Sequence, residues 1–302
     1  MSQGADTTKS IIYALTANFL IAIAKFVAAY ITKSGSMLAE AIHSLVDSSN
    51  QLLLLLGLKK SRMPPSLDHP LGYGKSIYFW SFIVALILFS LGGVYAIYEG
   101  MHKLENPQPI ESPLIAIGVL VFAVIAEGFS LWGCIREVNK VRVNRSFMTW
   151  FRESRQSELL VVFGEDIAAL AGLVFALMAV ILTMVTGNPV FDAIGTIVIG
   201  VLLVFIAFFL GKEVKDLLIG QGVEKHIKKD MEAHLNTNTE IVQVYNFLSL
   251  QMGDDVMVAI KAKMTETDSA EKLIEDINQC EARFKEKYPQ VKWLFFEPDV
   301  KD

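Results

Sequence analysis

The stretch Glu40-Ala-Ile-His43-Ser-Leu-Val-Asp47 decides how this chain is read. It lies between Met37–Leu38 and the leucine run Leu52–Leu56, so it reads as part of a membrane-spanning helix. Residues three and four apart share a helix face. Glu40, His43 and Asp47 therefore put one imidazole and two carboxylates on a single wall. Ionisable groups in lipid cost about 2.5–3.5 kcal/mol each on insertion scales, so they face a partner, a cavity or an ion. A nitrogen and an oxygen donor one turn apart suit a divalent cation such as zinc. The competing reading is a polar seam that only joins helices. A His and an Asp four apart inside a membrane favour ion handling over that seam.

Working outward, Ile11–Tyr30 is an apolar run long enough to cross a bilayer, and it carries Asn18 and Lys25. Met1–Ser10 is short and polar with no Arg-rich presequence, so this run is expected to be a retained span. Lys25 in mid-span calls for a carboxylate. The second span, Met37 to about Leu58, carries the opening motif and ends at Lys59, Lys60, Arg62 and Pro64–Pro65. In the loop that follows, Asp68–His69 reads either as a metal pair or as a solvated turn. The third span, Ile77 to about Tyr98, is almost free of ionisable residues, and Gly92–Gly93 allows close helix contact. The fourth, Leu114 to about Cys134, contains Glu127, which is open to pairing with Lys25, to metal ligation, or to both. The fifth, Glu158 to about Thr186, holds Glu165–Asp166, followed by Ala168, Ala169, Ala171 and Gly172, small residues that admit a neighbouring helix. The sixth runs from Val190 to about Leu210.

Lys and Arg crowd the connectors after spans two, four and six and are sparse after one, three and five. That alternation predicts six spans with both termini cytoplasmic. The apolar composition agrees with an integral membrane protein, expected in a bacterial inner membrane. Residues 213–302 carry 18 acidic and 12 basic side chains, net −6, whereas 1–212 carry 14 and 15, net +1. The expected division is thus a six-helix membrane domain over 1–212 and an acidic soluble domain over 213–302. This balance argues against a nucleic-acid partner. Cys134 and Cys280 form no CxxC, so cysteine chemistry is not expected. In the tail, Val223–Leu235 reads as a helix and Ile241–Leu250 and Val256–Met264 as strands about a Gly253–Asp254 turn. A helix over Ala270–Tyr288, capped by Asp268 or Ser269, and a strand over Val291–Phe296 complete a small α+β sandwich of ferredoxin-like or metallochaperone-like type.

The segment Ser34-Gly-Ser-Met-Leu-Ala-Glu-Ala-Ile-His-Ser-Leu-Val-Asp47, the loop His69-Pro-Leu-Gly-Tyr-Gly-Lys75, the Asp of the fifth span and the α+β tail together resemble the cation diffusion facilitator (cation efflux) family. The resemblance covers nearly the whole chain. It implies a homodimeric exporter of zinc or related divalent cations, usually in exchange for protons. Many zinc members carry His or Asp four residues before the fifth-span Asp, and here that position is Val162. Glu165-Asp166-Ile-Ala-Ala169, Ala126-Glu127-Gly128 and Pro107-Gln-Pro-Ile-Glu-Ser112 instead resemble the zinc transporter nine subgroup. The resemblance implies His43, Asp47 and Asp166 as ligands. Glu127 is the candidate fourth donor and Glu165 the second choice, since adjacent helical residues point about 100° apart. Asp68 and His69 match a loop site of some members only in part. The tail offers only His226, His234 and Cys280, so dimerisation is its expected role rather than a metal cluster.

Zinc is expected as transported substrate. An oxygen-rich ligand set brings manganese, iron or cobalt into range. Binding needs neutral imidazole and ionised carboxylates and so displaces protons, which would drive antiport by alternating access. Two readings of other classes stay open: a metal-dependent intramembrane enzyme, disfavoured because no HExxH is present, and a non-transporting dimeric scaffold.

Overall fold

A computed structural model describes residues 3–142 and 145–301, and side chains at 15 and from 18 onward. It contains two compact units: Met1–Gly57, Phe79–Phe147 and Glu158–Val214 form one, and Leu58–Tyr78, Met148–Ser157 and Lys215–Asp302 the other. The second unit therefore takes in two segments that lie far from the tail in sequence.

The first unit is built from α1 (Gln3–Thr32), α2 (Gly35–Ser61), α3 (Ser76–Ile87), α4 (Tyr95–Glu105), α5 (Pro113–Val141), α7 (Ser157–Thr186) and α8 (Val190–Ile219). A short helix α6 (Phe147–Glu153) lies between α5 and α7. A wider helical turn over Leu88–Val94 joins α3 to α4, making one helix of 30 residues. That helix, α5, α7 and α8 are each long and apolar enough to cross a membrane. In α1 the apolar helix of described side chains is the shorter Asn18–Thr32, and α2 carries Glu40, His43 and Asp47.

The entry to α2 is held by a residue distant in sequence. The first turn of a helix has backbone N–H groups without intrahelical acceptors. Here Asp192 of α8, which is buried, accepts from Gly35 N at 2.6 Å, Ser36 N at 3.2 Å, Ser34 Oγ at 2.6 Å and Ser36 Oγ at 2.5 Å. Lys103 Nζ of α4 stands 3.5 Å from the same carboxylate and also donates to the Lys33 carbonyl. One side chain thus ties α2, α4 and α8 together. Asp192→Ala leaves these donors unpaired in a buried place, so a loss of about 3 kcal/mol is expected. It is checked as a lowered thermal midpoint of the purified protein in detergent, and an unchanged midpoint would contradict the clamp.

In the second unit α9 (Lys225–Leu235), β1 (Ile241–Met252), β2 (Asp255–Met264), α10 (Ala270–Lys287) and β3 (Val291–Pro298) follow the expected order. The sheet order is β1-β2-β3, with β1–β2 antiparallel and β2–β3 parallel. Ser269 caps α10, its side chain accepting from Lys272 N at 3.2 Å. Gly253 turns the hairpin at φ +69°, a conformation glycine adopts without strain. The core joins Met231 and Leu235 of α9 to Val258 and Ile260 of the sheet and Phe284 of α10. Two chain segments outside the tail pack on the hairpin. Gly253 N donates to Tyr78 Oη at 3.0 Å, and a Cβ on Gly74 would overlap the Met252 carbonyl oxygen. Arg155 Nε donates to the Gly222 carbonyl at 2.7 Å.

His234 of α9 packs against the rings of Phe284 and Tyr288, and its Nε2 is buried without a hydrogen-bond partner. Burial and the nearby Lys287 and Arg283 cations push its pKa below the ordinary 6.5, against the opposing pull of a backbone hydrogen bond and Asp230. The unfolded chain then binds more protons than the folded one near pH 6, so stability falls as pH drops through about 6.5. Hydrogen exchange across α9 and α10 in the full chain should slow less than the intrinsic amide rate does as pH falls from 7.5 to 5.5. His234→Phe should remove that excess.

Candidate metal centre

His43 and Asp47 fall one turn apart on α2, and His43 Nδ1 lies 3.5 Å from Asp47 Oδ1. Both are buried. Neither ring nitrogen of His43, nor Asp47 Oδ1, has a hydrogen-bond partner. A buried polar atom left unpaired costs about 1–3 kcal/mol, so three in one helical turn mark a place organised for something other than packing.

Beside them lies a cavity of about 20 Å³, room for one water or one bare ion. Asp47 and Gln51 of α2, Glu127 of α5, Glu165 and Asp166 of α7 and Asn18 of α1 line it. Val162, the position where many zinc transporters of the resembled family have a ligand, is on the same wall and offers none. Each acid has a distinct setting. Glu165 Oε1 accepts from Asn50 Nδ2 at 2.6 Å. Asp166 accepts a longer bond, 3.3 Å, from Ser130 Oγ of α5. Glu127 is buried.

Four of the acids singled out from sequence, Asp47, Glu127, Glu165 and Asp166, thus share one cavity, contributed by α2, α5 and α7. His43 stands next to Asp47 but is not part of the cavity wall. Among the described residues no three His, Cys, Asp or Glu are already drawn close enough to hold a metal. Asp68 and His69 belong to the second unit, in an exposed loop where His69 stacks on Tyr73 with centroids 4.4 Å apart.

The sequence left Glu127 as the carboxylate in view for Lys25. The structure pairs Lys25 with Glu40 instead, Nζ to Oε2 at 3.4 Å, and its shortest bond, 2.6 Å, goes to Ser44 Oγ. Glu40 and Ser44 are four apart and so share a face, a signal that could have found them. Asn50, Ser130 and Ser44 were legible only as polar residues inside apolar runs.

Buried ionisable groups gathered among helices of membrane-crossing length define an integral membrane protein with a polar centre. Comparison with known sequences then fixes the family: the cation efflux transmembrane domain matches residues 11–219, and the chain belongs to the cation efflux family. It is 33% identical over 247 residues to the human "Proton-coupled zinc antiporter SLC30A9, mitochondrial", covering 81% of this chain and 44% of that protein. It is 33% identical over 254 residues to "Metal tolerance protein C4" of Arabidopsis thaliana, 83% of this chain and 54% of that one. It is 22% identical over 275 residues to "Zinc transporter ZitB" of Escherichia coli K12, 90% and 82%. The chain therefore spans about half the length of the human and plant relatives. The human and bacterial relatives are transporters by name, not enzymes.

Proposed function

We propose that this chain carries divalent cations, zinc foremost, across a membrane in exchange for protons. The observation that carries the proposal is the unpaired imidazole of His43 and carboxylate oxygen of Asp47, buried beside a small cavity ringed by acids. Zinc takes imidazole nitrogen at about 2.0–2.1 Å and carboxylate oxygen at about 2.0–2.2 Å, usually as four ligands. In this reading His43, Asp47 and Asp166 ligate the ion, with Glu127 as fourth donor and Glu165 behind it. A small inward movement of α2, α5 and α7 would draw the donors together. Neutral imidazole and ionised carboxylates bind the ion, and protons arriving from the other side displace it. Rocking of helices about a fixed site would give alternating access.

The names of the human and bacterial relatives favour zinc as cargo. Manganese, iron and cobalt are the ions to test beside it, given the oxygen-rich wall. The proposal makes α1 and α2 the remaining two of six spans, places residues 1–212 in the membrane body and 213–302 in the tail, and puts both termini in the cytoplasm of a bacterium. The human relative is mitochondrial by name, and the proton gradient of either membrane would serve. The functional unit is a homodimer joined through the tail.

The test is reconstitution in vesicles that enclose a pH-sensitive dye, with zinc added on one side. The proposal expects zinc movement accompanied by opposing proton movement and accelerated by an imposed pH gradient. Zinc flux with no proton counterflow, or no flux of any of the four metals, would overturn it.

A further inference from the structure

We propose that Lys25 is a resident competitor of the transported ion, a fixed positive charge that holds affinity down so that the ion can leave. This deepens the reading of the metal centre and rests on it.

Lys25 lies on α1 and is fully buried. Its Nζ donates to Ser44 Oγ at 2.6 Å. Ser44 follows His43 directly and lines the same cavity as Asp47. The ammonium therefore stands one hydroxyl away from the cavity that those acids line. Its hold on Glu40 is looser, 3.4 Å, through Oε2 alone. The other oxygen, Glu40 Oε1, is buried and has no hydrogen-bond partner. A buried pair kept only for structure needs close geometry and filled hydrogen bonds to offset the cost of removing two charges from water. This pair has neither.

Gly172 of α7 explains how Glu40 is accommodated. A Cβ there would overlap Glu40 Oε1, so the missing side chain leaves that carboxylate its place beside α7. Glu40 pairs with an ammonium that cannot depart, and Asp47, Glu127, Glu165 and Asp166 line the cavity that begins at its other partner, Ser44. Charges interact far more strongly in such surroundings than in water. A lysine on a flexible stem, one hydroxyl from the cavity, repels an incoming divalent ion and stabilises the acids once that ion has left. Without it the acids would hold zinc too firmly to release.

The test is zinc titration of the full chain in detergent by calorimetry, paired with zinc flux in vesicles. Lys25→Met should bind zinc at least tenfold more tightly, about 1.4 kcal/mol, with a lower KM and a lower maximal rate because release slows. Lys25→Gln, which can still donate to Ser44 and Glu40, should tighten binding likewise, and it serves if the methionine variant does not fold. Lys25→Arg keeps the charge and should stay within about threefold of the parent Kd. A purely structural pair predicts the opposite, with the neutral variants losing stability and binding zinc equally or more weakly. That outcome would overturn the proposal. Asp47→Ala in the same titration separates the two levels: undiminished zinc binding there removes the metal-centre reading itself, whereas lost binding there with no tightening at position 25 removes only the competitor.

Discussion

Asp47→Ala should bring zinc flux in vesicles down at least a hundredfold while the protein still folds and elutes as the parent does. Asp47 is the residue through which the two halves of the centre meet. Its Oδ1 lies 3.5 Å from His43 Nδ1, and its side chain lines the cavity that Glu127, Glu165 and Asp166 complete. Removing it deletes one of the four proposed ligands and separates the imidazole from the acids. Loss of an oxygen donor from a tetrahedral zinc site leaves an incomplete shell in a place where water enters poorly. The fold should not suffer, because Asp47 Oδ1 has no hydrogen bond to lose. The neighbouring acids then rank themselves. Glu165 is already engaged by Asn50 at 2.6 Å, so Glu165→Gln should cost less flux than Glu127→Gln or Asp166→Asn. Flux in Asp47→Ala within threefold of the parent would contradict the whole assignment, and a greater loss in Glu165→Gln than in Glu127→Gln would exchange their roles.

Gly200→Leu should fail to yield a stable protein, whereas Gly118→Leu should be nearly neutral. Helices in a membrane gain little from the hydrophobic effect between themselves and rely on close packing, for which small residues make room. On α8, a Cβ at Gly200 would stand 2.7 Å from Ile97 N and 2.8 Å from the Gly93 carbonyl oxygen. From the other side, a Cβ at Gly93 would lie 3.0 Å from Val204 N, and one at Gly100 2.9 Å from the Ala193 carbonyl oxygen. These are backbone atoms, which cannot turn aside as a side chain can. The seam between α8 and the continuous helix over Ser76–Glu105 is thus glycine against glycine, and any larger residue separates the helices, with an expected cost of about 3 kcal/mol by analogy with overpacked cores. Gly118 on α5 has nothing within 4 Å of its would-be Cβ. Yield and thermal midpoint of the two variants, expressed side by side, decide the matter. Equal behaviour would mean that glycine content rather than that seam governs assembly.

The same glycines show what sequence could and could not reveal. Gly92–Gly93 stood out as a close-approach site, because a small pair in an apolar run has one obvious use. Its partner Gly200 did not, since nothing in the spacing of either helix states which other helix it meets. Local rules carried the tail well: Ser269 as cap, Gly253 as turn and the apolar runs on either side of it are signals contained within a few residues. They carried the α2 wall too, because His43 and Asp47 are one turn apart by arithmetic alone. They missed the Asp192 clamp on Ser34, Gly35 and Ser36, which joins residues more than 150 positions apart, and they left the partner of Lys25 open. The end of α8 was also out of reach. Apolar content fades near Leu210, yet the helix continues to Ile219 and stops at Gly220 with φ +134°, because Val214 and Leu217 keep a buried face.

The central claim is that an ion is held inside the membrane body by the imidazole at 43 and the acids around it. Anomalous diffraction at the zinc edge, from crystals grown with zinc, tests it most directly. The account predicts a peak within about 2.2 Å of a His43 nitrogen and an Asp47 oxygen, with Asp166 and Glu127 closing the shell. Zinc found only at Asp68 and His69, with no density beside His43, would contradict it.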